Sequence, residues 1–461
     1  MNTAVVLYTS DLRLHDHPPL RAALSSGDRV VPLFVRDRVI EDSAFAAPNR
    51  LAFLADCLAD LDAALRDRGG RLLLRSGDVV AEVCALVQEA DADEVHMAAG
   101  VSGYAHAREE RLREVLEAQG RRLYVHDTVV TAVAPGAVLP SGSGADHFAV
   151  FTPYLRRWTE LPLRPAEPAP RAVRVPEDLG SEPLPRRSAV TGTSPGLARG
   201  GETEARRLLT NWLRSGITRY EDTHDDLAGD ATSKLSPHLH FGTLSPTEAV
   251  HRARAAGGPG AEAFVRQLCW RDFHHQVLAA RPETAAEDYR ARQDRWRTGP
   301  DAEEEIQAWK DGRTGYPVVD AAMRQLRHEG WMHNRGRLLA ASFLAKTLYV
   351  DWRTGARHFM DLLVDGDVAN NQLNWQWVAG TGTDTRPNRV LNPVRQGLRY
   401  DPEGRYVHRW VPELAGLPAP RVHEPWRLPG LERARFDYPD PVVDLADGLG
   451  RFREGRPGAV S

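Results

Sequence analysis

Short apolar runs and amphipathic stretches alternate through the first 131 residues, and this alternation is the feature that most restricts the fold. The runs cover residues 4–8, 29–35, 71–75, 94–97 and 122–125, and most are rich in valine and leucine. Between the second and third runs, leucines recur on one helical face from Leu51 to Leu65. Strands that alternate with helices form βαβ units, which build a parallel sheet. We therefore predict that residues 1–131 form a Rossmann-like α/β domain.

The rest of the chain divides into a proline-rich stretch and a long helical region. Residues 132–200 contain many prolines and a Pro-Ser-Gly-Ser-Gly segment, which is typical of a connector on the protein surface. From residue 201 onward the periodicity is helical, with N-cap serines predicted at Ser236 and Ser245 and a C-cap glycine at Gly330. We predict an all-α domain over residues 201–461.

Composition excludes several classes of protein. The 461 residues contain no apolar run near the roughly 18 residues that a membrane span needs. The three cysteines lie far apart, which excludes a disulfide scaffold or a zinc cluster and is typical of a cytoplasmic protein. The formal charge is −4, so any binding to nucleic acid must come from a few placed arginines. Ten of the eleven tryptophans lie beyond residue 200, which indicates that the helical region has a task of its own.

Two segments of the helical region combine anion-binding and aromatic residues. Residues 232–242 place hydroxyl groups at a predicted helix start, where free N–H groups favour a phosphate. Ordinary helix capping explains the same hydroxyls. In residues 266–273, Trp270 can stack on a base while Arg271 binds a phosphate. A buried aromatic residue beside a solvated arginine is the simpler explanation of that segment when it is taken by itself.

Two further segments are rich in amides and carboxylates. Residues 330–338 place Asn334, Arg335 and Arg337 beside a tryptophan, and Arg337 can pair with a distant carboxylate. We interpret His333 as a structural, hydrogen-bonded histidine. Residues 365–377 hold two acids, several amides and two tryptophans without the spacing of an EF-hand, so we predict no metal site. Such groups need partners when they are buried, and a polar cofactor would supply them.

These segments occur in one order along nearly the whole chain, and with them the sequence resembles the DNA photolyase/cryptochrome family, in particular its class I cyclobutane pyrimidine dimer photolyases. The motifs that carry the resemblance are residues 11–16, 232–242, 270–273, 315–324, 331–337 and 365–377. The resemblance implies an α/β antenna domain followed by an all-α domain that binds FAD. It also implies a lyase that repairs cyclobutane pyrimidine dimers in UV-damaged DNA by light-driven electron transfer from excited, reduced FAD.

The resemblance also implies the cofactor contacts. Arg337 would form an ion pair with Asp365 beside the flavin ring, and Asn371 would lie opposite the flavin N5, where a neutral amide suits a reduced flavin. The residues implied for FAD binding are Tyr220, Thr232, Ser233, Lys234, Leu235, Ser236, Arg271, Asn334, Arg337, Asp365, Gly366, Asp367 and Asn371. Three tryptophans, Trp375, Trp352 and Trp296, would relay an electron to oxidised FAD, in that order from the flavin to the surface.

A second set of residues is implied for DNA. Trp270 and Trp377 would flank the lesion by stacking, and Arg335 and Arg389 would contact flanking phosphates. The residues implied for lesion and DNA binding are Gln267, Trp270, Arg271, Asn334, Arg335, Trp377 and Arg389. The first domain would hold an antenna chromophore near residues 104–109, with 8-hydroxy-deazaflavin favoured over a folate. Members of the family are usually monomeric.

Four positions bear on the alternatives or depart from the family pattern. Gln267 stands where dimer photolyases usually carry a glutamate, and glutamine there is typical of six-four photolyases and animal cryptochromes. Asn334 and Leu338 stand where six-four enzymes carry a histidine pair, which favours the dimer enzyme. His224 replaces a common arginine. A blue-light receptor is disfavoured by the short end of the chain after residue 426. The three matched tryptophans argue against a flavin- or nucleotide-binding protein without photochemistry.

Overall fold

A parallel five-stranded sheet forms the centre of the first domain. The computed structural model describes residues 2–142 and 144–458; Met1, Ser143 and residues 459–461, which belong to the predicted domains and connector, lie outside it. The strands are β1 Thr3–Tyr8, β2 Arg29–Asp37, β3 Leu73–Gly77, β4 Glu94–Ala98 and β5 Arg122–His126. Their order is β3-β2-β1-β4-β5, and every neighbouring pair is parallel. All five predicted strands are therefore confirmed, although β3 begins two residues later than expected.

Helices cover both faces of this sheet. Along β1, Ala4 and Val6 belong to the core on one face, while Val5 and Leu7 belong to the core on the other. Burial on both faces explains why the strand sequences are continuously apolar instead of alternating. The helices of this domain are α1 Pro18–Ser26, α2 Arg38–Glu41, α3 Pro48–Arg66, α4 Val79–Glu89 and α5 Gly103–Ala118. The helix predicted from Leu51 to Leu65 corresponds to α3, which buries Leu58, Leu61 and Leu65.

The stretch between the domains contains one helix, α6 Phe151–Glu160, and a short 3-10 turn, Arg187–Ala189. Its Trp158 is fully buried in the core of the helical domain, and the indole Nε1 donates to Asp272 Oδ2 at 3.0 Å. Much of the described remainder has no regular secondary structure, in keeping with its prolines. This stretch is therefore a packed part of the structure. The boundaries of the connector stay a prediction.

The second domain is built from helices, and its regular elements follow one another with short links. The α-helices are α7 Glu202–Ser215, α8 Tyr220–Thr223, α9 Ser236–His240, α10 Pro246–Ala256, α11 Pro259–Ala280, α12 Pro300–Asp311, α13 Pro317–Glu329, α14 Asn334–Ser342, α15 Trp352–Leu362, α16 Val368–Ala379, α17 Pro393–Tyr400, α18 Arg405–Trp410, α19 Gly430–Arg433 and α20 Leu445–Gly455. A π-helical turn, Phe343–Thr347, follows α14, and 3-10 turns cover Ile217–Arg219, Pro282–Ala285, Pro412–Leu414, Arg421–His423 and Pro425–Arg427. Within the described residues, no helix is long and apolar enough to cross a bilayer.

Two of the three predicted helix caps are present. Ser245 Oγ accepts from the Glu248 N–H at 3.1 Å at the start of α10. Gly330 ends α13 with φ +62°, a left-handed conformation that glycine adopts without a side-chain clash. The prediction for Ser236 is wrong, because the N-cap of α9 is Leu235 and Ser236 is the first helical residue. The Ser236 hydroxyl instead accepts from Trp331 Nε1 at 3.1 Å.

The motif at residues 11–16 joins the two domains. The buried Arg13 guanidinium donates to the Gly242 carbonyl at 2.9 Å and to the Val129 carbonyl at 3.0 Å. Asp16 pairs with Arg164 and accepts from the Ser245 hydroxyl. A side chain at Gly242 would not fit, since its Cβ would lie 1.9 Å from the Ser10 carbonyl oxygen. The end of β1 therefore fixes the position of the loop that follows α9.

Lys346 is an unusual core residue of the helical domain. It lies in the π-helical turn with no exposed surface, and its ammonium donates to the Pro387 carbonyl. Burial, together with the nearby Arg456 charge, lowers the pKa of Lys346 to about 7, against an ordinary value of 10.5. Between these two pH values the unfolded chain therefore binds more protons at this residue than the folded chain does.

We expect the stability difference between wild type and Lys346→Met to depend on pH. Because the folded pKa is the lower one, the wild type gains stability relative to the variant as pH rises from 7 to 10, by about 1.4 kcal/mol per pH unit at the steepest. Urea unfolding across this range measures the difference, with Lys310→Met as the control. A wild-type-to-variant difference that stays constant with pH would contradict the assignment.

Candidate active site

One cavity of about 450 Å³ in the helical domain brings together all four of the segments that the sequence singled out. Its walls come from residues 232–240 and from α8, α11, α14, α15 and α16. The sequence-predicted site residues that line it are Tyr220, Thr232, Ser233, Lys234, Leu235, Ser236, Gln267, Trp270, Arg271, Asn334, Arg335, Arg337, Asp365, Asp367, Asn371, Trp375 and Trp377. Four predicted residues lie outside the lining, namely Gly366, Trp296, Trp352 and Arg389.

Residues 232–236 form a wall of hydroxyl groups. Lys234 has a left-handed backbone at φ +50°, and its Nζ lies 2.6 Å from Asp230 Oδ1 and 5.3 Å from the centre of the Trp331 ring. Trp331 in turn donates to Ser236, so the loop is held against the start of α9. The hydroxyl of Thr232 is buried and has no hydrogen-bond partner within the described residues. This wall therefore offers polar groups to a ligand.

An ion pair between Arg337 and Asp365 forms another part of the cavity lining. Arg337 Nη2 donates to Asp365 Oδ2 at 2.7 Å, and Arg337 Nε donates to the Met332 carbonyl at 2.8 Å. The Asp365 side chain is only 3% exposed, and its second oxygen, Oδ1, has no partner among the described residues. A buried carboxylate oxygen without a donor is costly, so this atom indicates a polar ligand in the cavity.

Gly366 stands at a position that has no room for a side chain. A Cβ at this position would lie 2.7 Å from Arg50 Nη1. Arg50 comes from α3 of the α/β domain and donates to the carbonyls of Met360 and Leu363 at 2.5 and 2.7 Å. The loop that carries Asp365 is therefore supported from the first domain by a residue that sequence reasoning missed. Arg50 stands in an ordinary amphipathic helix, so no local pattern distinguishes it.

Asp367 combines a structural and an electrostatic role. Its Oδ1 accepts from the Asn370 N–H at 2.7 Å as the N-cap of α16, and its Oδ2 lies 3.2 Å from His275 Nε2. Burial alone would raise the pKa of this carboxyl, but His275 and then Arg271 outweigh it and hold the pKa well below the usual range. The cavity therefore contains an ionised carboxylate at neutral pH.

Asn371 is held in one orientation. Its Nδ2 donates to the Ala356 carbonyl at 3.0 Å and lies 3.3 Å from Gln372 Oε1. The residue is 8% exposed and lines the cavity. A neutral amide with a fixed direction therefore faces the space enclosed by the polar walls.

Aromatic rings and an amide surround the outer part of the cavity. Trp270 and Trp377 are half-buried, and Gln267 is exposed. Trp270 stacks on Phe151 with ring centroids 3.6 Å apart and an interplanar angle of 7°. This stacking fixes one face of the Trp270 ring. A flat, partly exposed aromatic surface of this kind can stack on a base.

The predicted DNA-binding arginines differ in whether their guanidinium groups already have partners inside the protein. Arg271 is buried and donates to the carbonyls of Val130 and Leu239 at 2.6 and 3.1 Å. Arg335 forms two hydrogen bonds to Asp225, at 3.2 and 2.5 Å, and its guanidinium lies 4.3 Å from the centre of the Tyr400 ring. Arg389 is exposed in the loop after α16. Internal partners therefore occupy Arg271 and Arg335, whereas Arg389 is open to solvent.

The three predicted relay tryptophans differ in burial, and the one predicted to lie outermost, Trp296, is the most exposed. Trp375 lines the cavity and is 2% exposed, Trp352 is fully buried, and Trp296 is half-buried. Helix α15, which begins at Trp352, packs directly on Trp375, because a Cβ at Gly355 would lie 2.2 Å from its ring. Trp352 Nε1 donates to Asp288 Oδ1 at 2.9 Å. The indole Nε1 of Trp375 is buried and has no partner within the described residues.

Several histidines around the cavity were not predicted as site residues. Burial lowers the pKa of His240 and of His333 to about 4 and that of His274 to about 3, so these rings are neutral at pH 7. His333 Nδ1 accepts from the Arg335 N–H at 3.1 Å, in keeping with a structural role. His224, which replaces the common arginine, lines the cavity, and its Nδ1 lies 3.0 Å from the Tyr220 carbonyl oxygen. His274, close to Trp270-Arg271, and His240, within residues 232–242, line the cavity. Both stand in or beside segments that the sequence already singles out, so they could have been predicted as site residues.

A second group of unpaired polar atoms lies near the carboxyl ends of β1 and β2. Tyr8 Oη, Asp37 Oδ2 and Arg108 Nε are buried without partners in the described part of the chain. Burial lowers the pKa of Arg108, while Glu109 and Asp37 act in the opposite direction. In α/β sheets this edge is the usual place for a ligand. Arg108 belongs to the segment predicted to contact the antenna chromophore, residues 104–109.

Family models match both domains. A model described as DNA photolyase matches residues 4–173, and a model described as FAD binding domain of DNA photolyase matches residues 264–455. The chain is 66% identical over 456 residues to the deoxyribodipyrimidine photo-lyase of Streptomyces griseus, which covers 99% of both chains. The chain therefore belongs to the DNA photolyase/cryptochrome family, and the predicted family and two-domain fold are confirmed.

Solved structures of the family have the same architecture. A bacterial class III photolyase from Agrobacterium tumefaciens superposes with a TM-score of 0.92 at 33% identity, covering 99% of this chain and 97% of that one. A cryptochrome from Synechocystis sp. PCC6803 superposes with a TM-score of 0.91 at 28% identity, covering 99% of both. Photolyases and cryptochromes thus share this fold, and the residues of the site must distinguish them.

The unpaired atoms of the cavity fit FAD. Thr232 offers a hydroxyl to a phosphate or a ribityl oxygen, and Asp365 Oδ1 can accept from a ring N–H. The FAD-binding family model covers the part of the chain that contains Asp365. Hydroxyls, an ionised carboxylate, an ion pair and a neutral amide around one cavity form a donor set that suits this cofactor.

We expect Asp365→Asn to weaken FAD binding by at least about tenfold. The change removes the charge of the carboxylate that lines the cavity and leaves the Arg337 guanidinium without its counter-charge. Titration of FAD into flavin-free protein measures the affinity. Asp361→Asn, which removes an exposed carboxylate of the adjacent helix, is the control. Equal FAD affinity in wild type and Asp365→Asn would refute the proposed contact.

Proposed function

We propose that this chain is a deoxyribodipyrimidine photo-lyase, an enzyme that repairs cyclobutane pyrimidine dimers in DNA with light. The observation that carries the proposal is one cavity whose walls are polar and suit a flavin, and whose outer part, the aromatic mouth, is formed by Trp270 and Trp377. Reduced FAD, when bound and excited by light, supplies the electron that opens the cyclobutane ring. No nucleophile or general base is required of the protein, so its task is to bind, orient and exclude water.

The polar walls would hold the cofactor. Residues 232–236 would bind its phosphates and ribityl chain through hydroxyls and backbone groups, with Tyr220 beside them. Arg337 and Asp365 would lie along the flavin ring, and Asp367 would bind the ring or ribityl region. The fixed amide of Asn371 would face the flavin N5, where a neutral group tolerates the negative charge of a reduced ring.

The aromatic mouth would hold the lesion. A dimer inside a duplex is out of reach, so it must be flipped out of the stack, at a cost that is lowest for damaged bases. Trp270 and Trp377 would flank the flipped dimer. Phe151 already stacks on one face of the Trp270 ring and holds it in place. The other face would then contact the dimer. Gln267 and Asn334 line the same cavity and would hydrogen-bond to the pyrimidine edges.

The two arginines assigned to flanking phosphates differ in whether they are already paired. The chain has a net charge of −4, and Asp225 already neutralises Arg335. The exposed Arg389 would contact a phosphate beside the lesion, and Arg335 would contact one only by sharing its charge with Asp225. Binding should therefore weaken as the salt concentration rises.

The tryptophans would restore the reduced flavin. Trp375 would pass an electron to oxidised FAD, Trp352 would refill Trp375, and Trp296 would refill Trp352. Two observations support the ends of this order: Trp375 lines the cavity, and Trp296 is the most exposed of the three. Only Trp375 needs to contact the cofactor, and it is the one of the three that lines the cavity.

Further properties belong to the same proposal. The polar atoms left unpaired at the carboxyl edge of the sheet would bind an antenna chromophore, with 8-hydroxy-deazaflavin favoured over a folate. The protein would act as a cytoplasmic monomer on UV-damaged DNA. A blue-light receptor is the second candidate, since a cryptochrome shares the fold.

The choice of lesion depends on three positions. Gln267 can donate and accept hydrogen bonds but carries no charge, and by family resemblance it favours a six-four photolyase. Asn334 and Leu338, both in the cavity lining, lack the imidazoles that the resemblance associates with six-four repair. We assign the greater weight to the missing histidine pair, because neither the Asn334 amide nor the Leu338 side chain can serve as a general acid.

Illumination of the FAD-loaded, reduced protein with single-stranded DNA tests the proposal. We expect thymine absorbance to recover in the light with a cyclobutane dimer substrate, and not in the dark. A six-four photoproduct offered in parallel should remain unrepaired. Light-dependent repair of the six-four substrate alone would support that alternative. Bound FAD without repair of either lesion would contradict a photolyase and favour the receptor.

The same assay tests the departure at Gln267. We expect Gln267→Glu to raise the repair yield of the dimer, because a carboxyl group can supply a negative charge when ionised or a proton when protonated, and the amide can supply neither. Gln307→Glu, an exposed change on α12, is the control. An unchanged or lower yield in Gln267→Glu would show that the amide is suited to this lesion.

A further inference from the structure

His275 is a buried histidine on α11 whose two ring nitrogens both face oxygen atoms. Its side chain is 1% exposed. Nδ1 lies 2.8 Å from the Arg271 carbonyl oxygen, one helical turn earlier, and Nε2 lies 3.2 Å from Asp367 Oδ2. Arg271 and Asp367 are among the described residues that line the cavity, and His275 is not. The imidazole therefore contacts the wall of the cavity without being part of it.

A neutral imidazole does not satisfy both contacts. It has one N–H and one bare nitrogen, whereas a carbonyl and a carboxylate can only accept. Whichever nitrogen of His275 is bare, its lone pair would point at an oxygen lone pair of Arg271 or Asp367. Only the imidazolium, in which both nitrogens carry hydrogen, can donate to both oxygen atoms. The geometry therefore favours a charged His275.

A proton on Asp367 would be the other way to satisfy Nε2 of His275, and the surroundings oppose it. Asp367 Oδ1 already accepts from the Asn370 N–H at 2.7 Å and from the Asn370 Nδ2 at 3.1 Å. The positive end of the α16 dipole also favours a carboxylate at this N-cap. Burial raises the pKa of Asp367, but His275 and Arg271 outweigh burial and hold this pKa well below its usual range. The two side chains therefore form an imidazolium–carboxylate pair.

The neighbours of His275 on α11 do not provide another carboxylate in direct contact with it. His274 stays neutral, because burial, together with the adjacent His275, lowers the pKa of His274 to about 3. Asp272 is buried, and its Oδ1 lies 3.9 Å from Arg271 Nη1. Among the described residues, Asp367 is therefore the carboxylate that pairs with His275.

The pair matters for the charge balance of the cavity. The other two carboxylates of the described lining each have an arginine partner. These ion pairs are Arg337 with Asp365 and Arg335 with Asp225. Asp367 instead has a histidine as its ion-pair partner. If His275 were neutral, the Asp367 carboxylate would face the cavity with much of its negative charge uncompensated.

We propose that His275 is a buried imidazolium at neutral pH and that its charge, by neutralising Asp367, makes the cavity favour reduced, anionic FAD over oxidised FAD; this rests on the FAD site and the function proposed above. An uncompensated carboxylate would repel the negative charge of a reduced flavin ring, and this repulsion is strong in a cavity of low dielectric constant. The oxidised ring is neutral and is affected less. His275 is a positioning residue, since it acts through Asp367.

Nitrogen NMR of the full-length, FAD-loaded protein with ¹⁵N-labelled histidine measures the charge of His275 directly. The two ring signals of His275 are assigned by their loss in His275→Arg and in His275→Gln. We expect both Nδ1 and Nε2 of His275 to carry hydrogen at neutral pH in wild type. A bare ring nitrogen on His275 would overturn the proposal. This measurement requires neither DNA nor light, and its outcome does not depend on repair.

A redox titration of the bound FAD, in the dark and without DNA, measures the effect on the cofactor. His275→Gln removes the charge but keeps a hydrogen-bonding side chain. We expect it to lower the affinity for reduced FAD, relative to that for oxidised FAD, by at least about tenfold. His275→Arg keeps a positive charge and should restore the wild-type ratio of the two affinities. His251→Gln, a change on α10 outside the described cavity lining, is the control.

The outcomes separate this proposal from the proposed function. An unchanged ratio of affinities in His275→Gln, or a ratio in His275→Arg that matches His275→Gln, would overturn the role of the His275 charge. If the titration gives the expected ratios but neither lesion is repaired in the light, the result supports the role of His275 and contradicts the photolyase function alone.

Discussion

The structure depends on the hydrogen bonds that Arg271 and Asp272 make from the middle of α11 to the junction of the two domains. Arg271 binds the Val130 carbonyl, and the buried Asp272 Oδ2 accepts from the backbone N–H groups of Ala132 and Val133 at 3.0 Å each and from Trp158 Nε1. Arg13 adds a bond from the α/β domain to the Val129 carbonyl. The Arg271 and Asp272 side chains are both buried, so the removal of either one would leave several backbone and side-chain polar groups unpaired.

The same helix sets the geometry of the site. One side of α11 presents Gln267 and Trp270 to the cavity, and His275, a turn later, places its Nε2 next to Asp367 on α16. Anchoring α11 to the junction therefore also positions the aromatic mouth and one of the charged walls. Arg50 acts in a similar way from α3, below the loop of Asp365. The α/β domain is thus part of the support of the flavin cavity as well as the proposed place of the antenna.

Local patterns predicted much of the fold but little of the support around the site. Residues 4–8 and 51–65 could be predicted because their periodicity is a property of neighbouring residues, and the resemblance placed most of the cavity lining. The pairing of Arg335 with Asp225 could not be predicted, since it joins residues 110 positions apart. Ser236 was misassigned as a cap because Leu235 takes a helical conformation and the hydroxyl binds Trp331. Arg271 looked free in sequence, and only tertiary structure supplies its two carbonyl partners.

The central claim is that one cavity holds the flavin and the lesion close enough for an electron to pass between them. The fluorescence lifetime of the reduced flavin tests this most directly, because a nearby electron acceptor shortens it. With a saturating oligonucleotide that contains one cyclobutane dimer, the lifetime should become shorter than in the free protein, and an undamaged oligonucleotide should leave it unchanged. The same lifetime with bound dimer, bound undamaged DNA and no DNA would contradict the account.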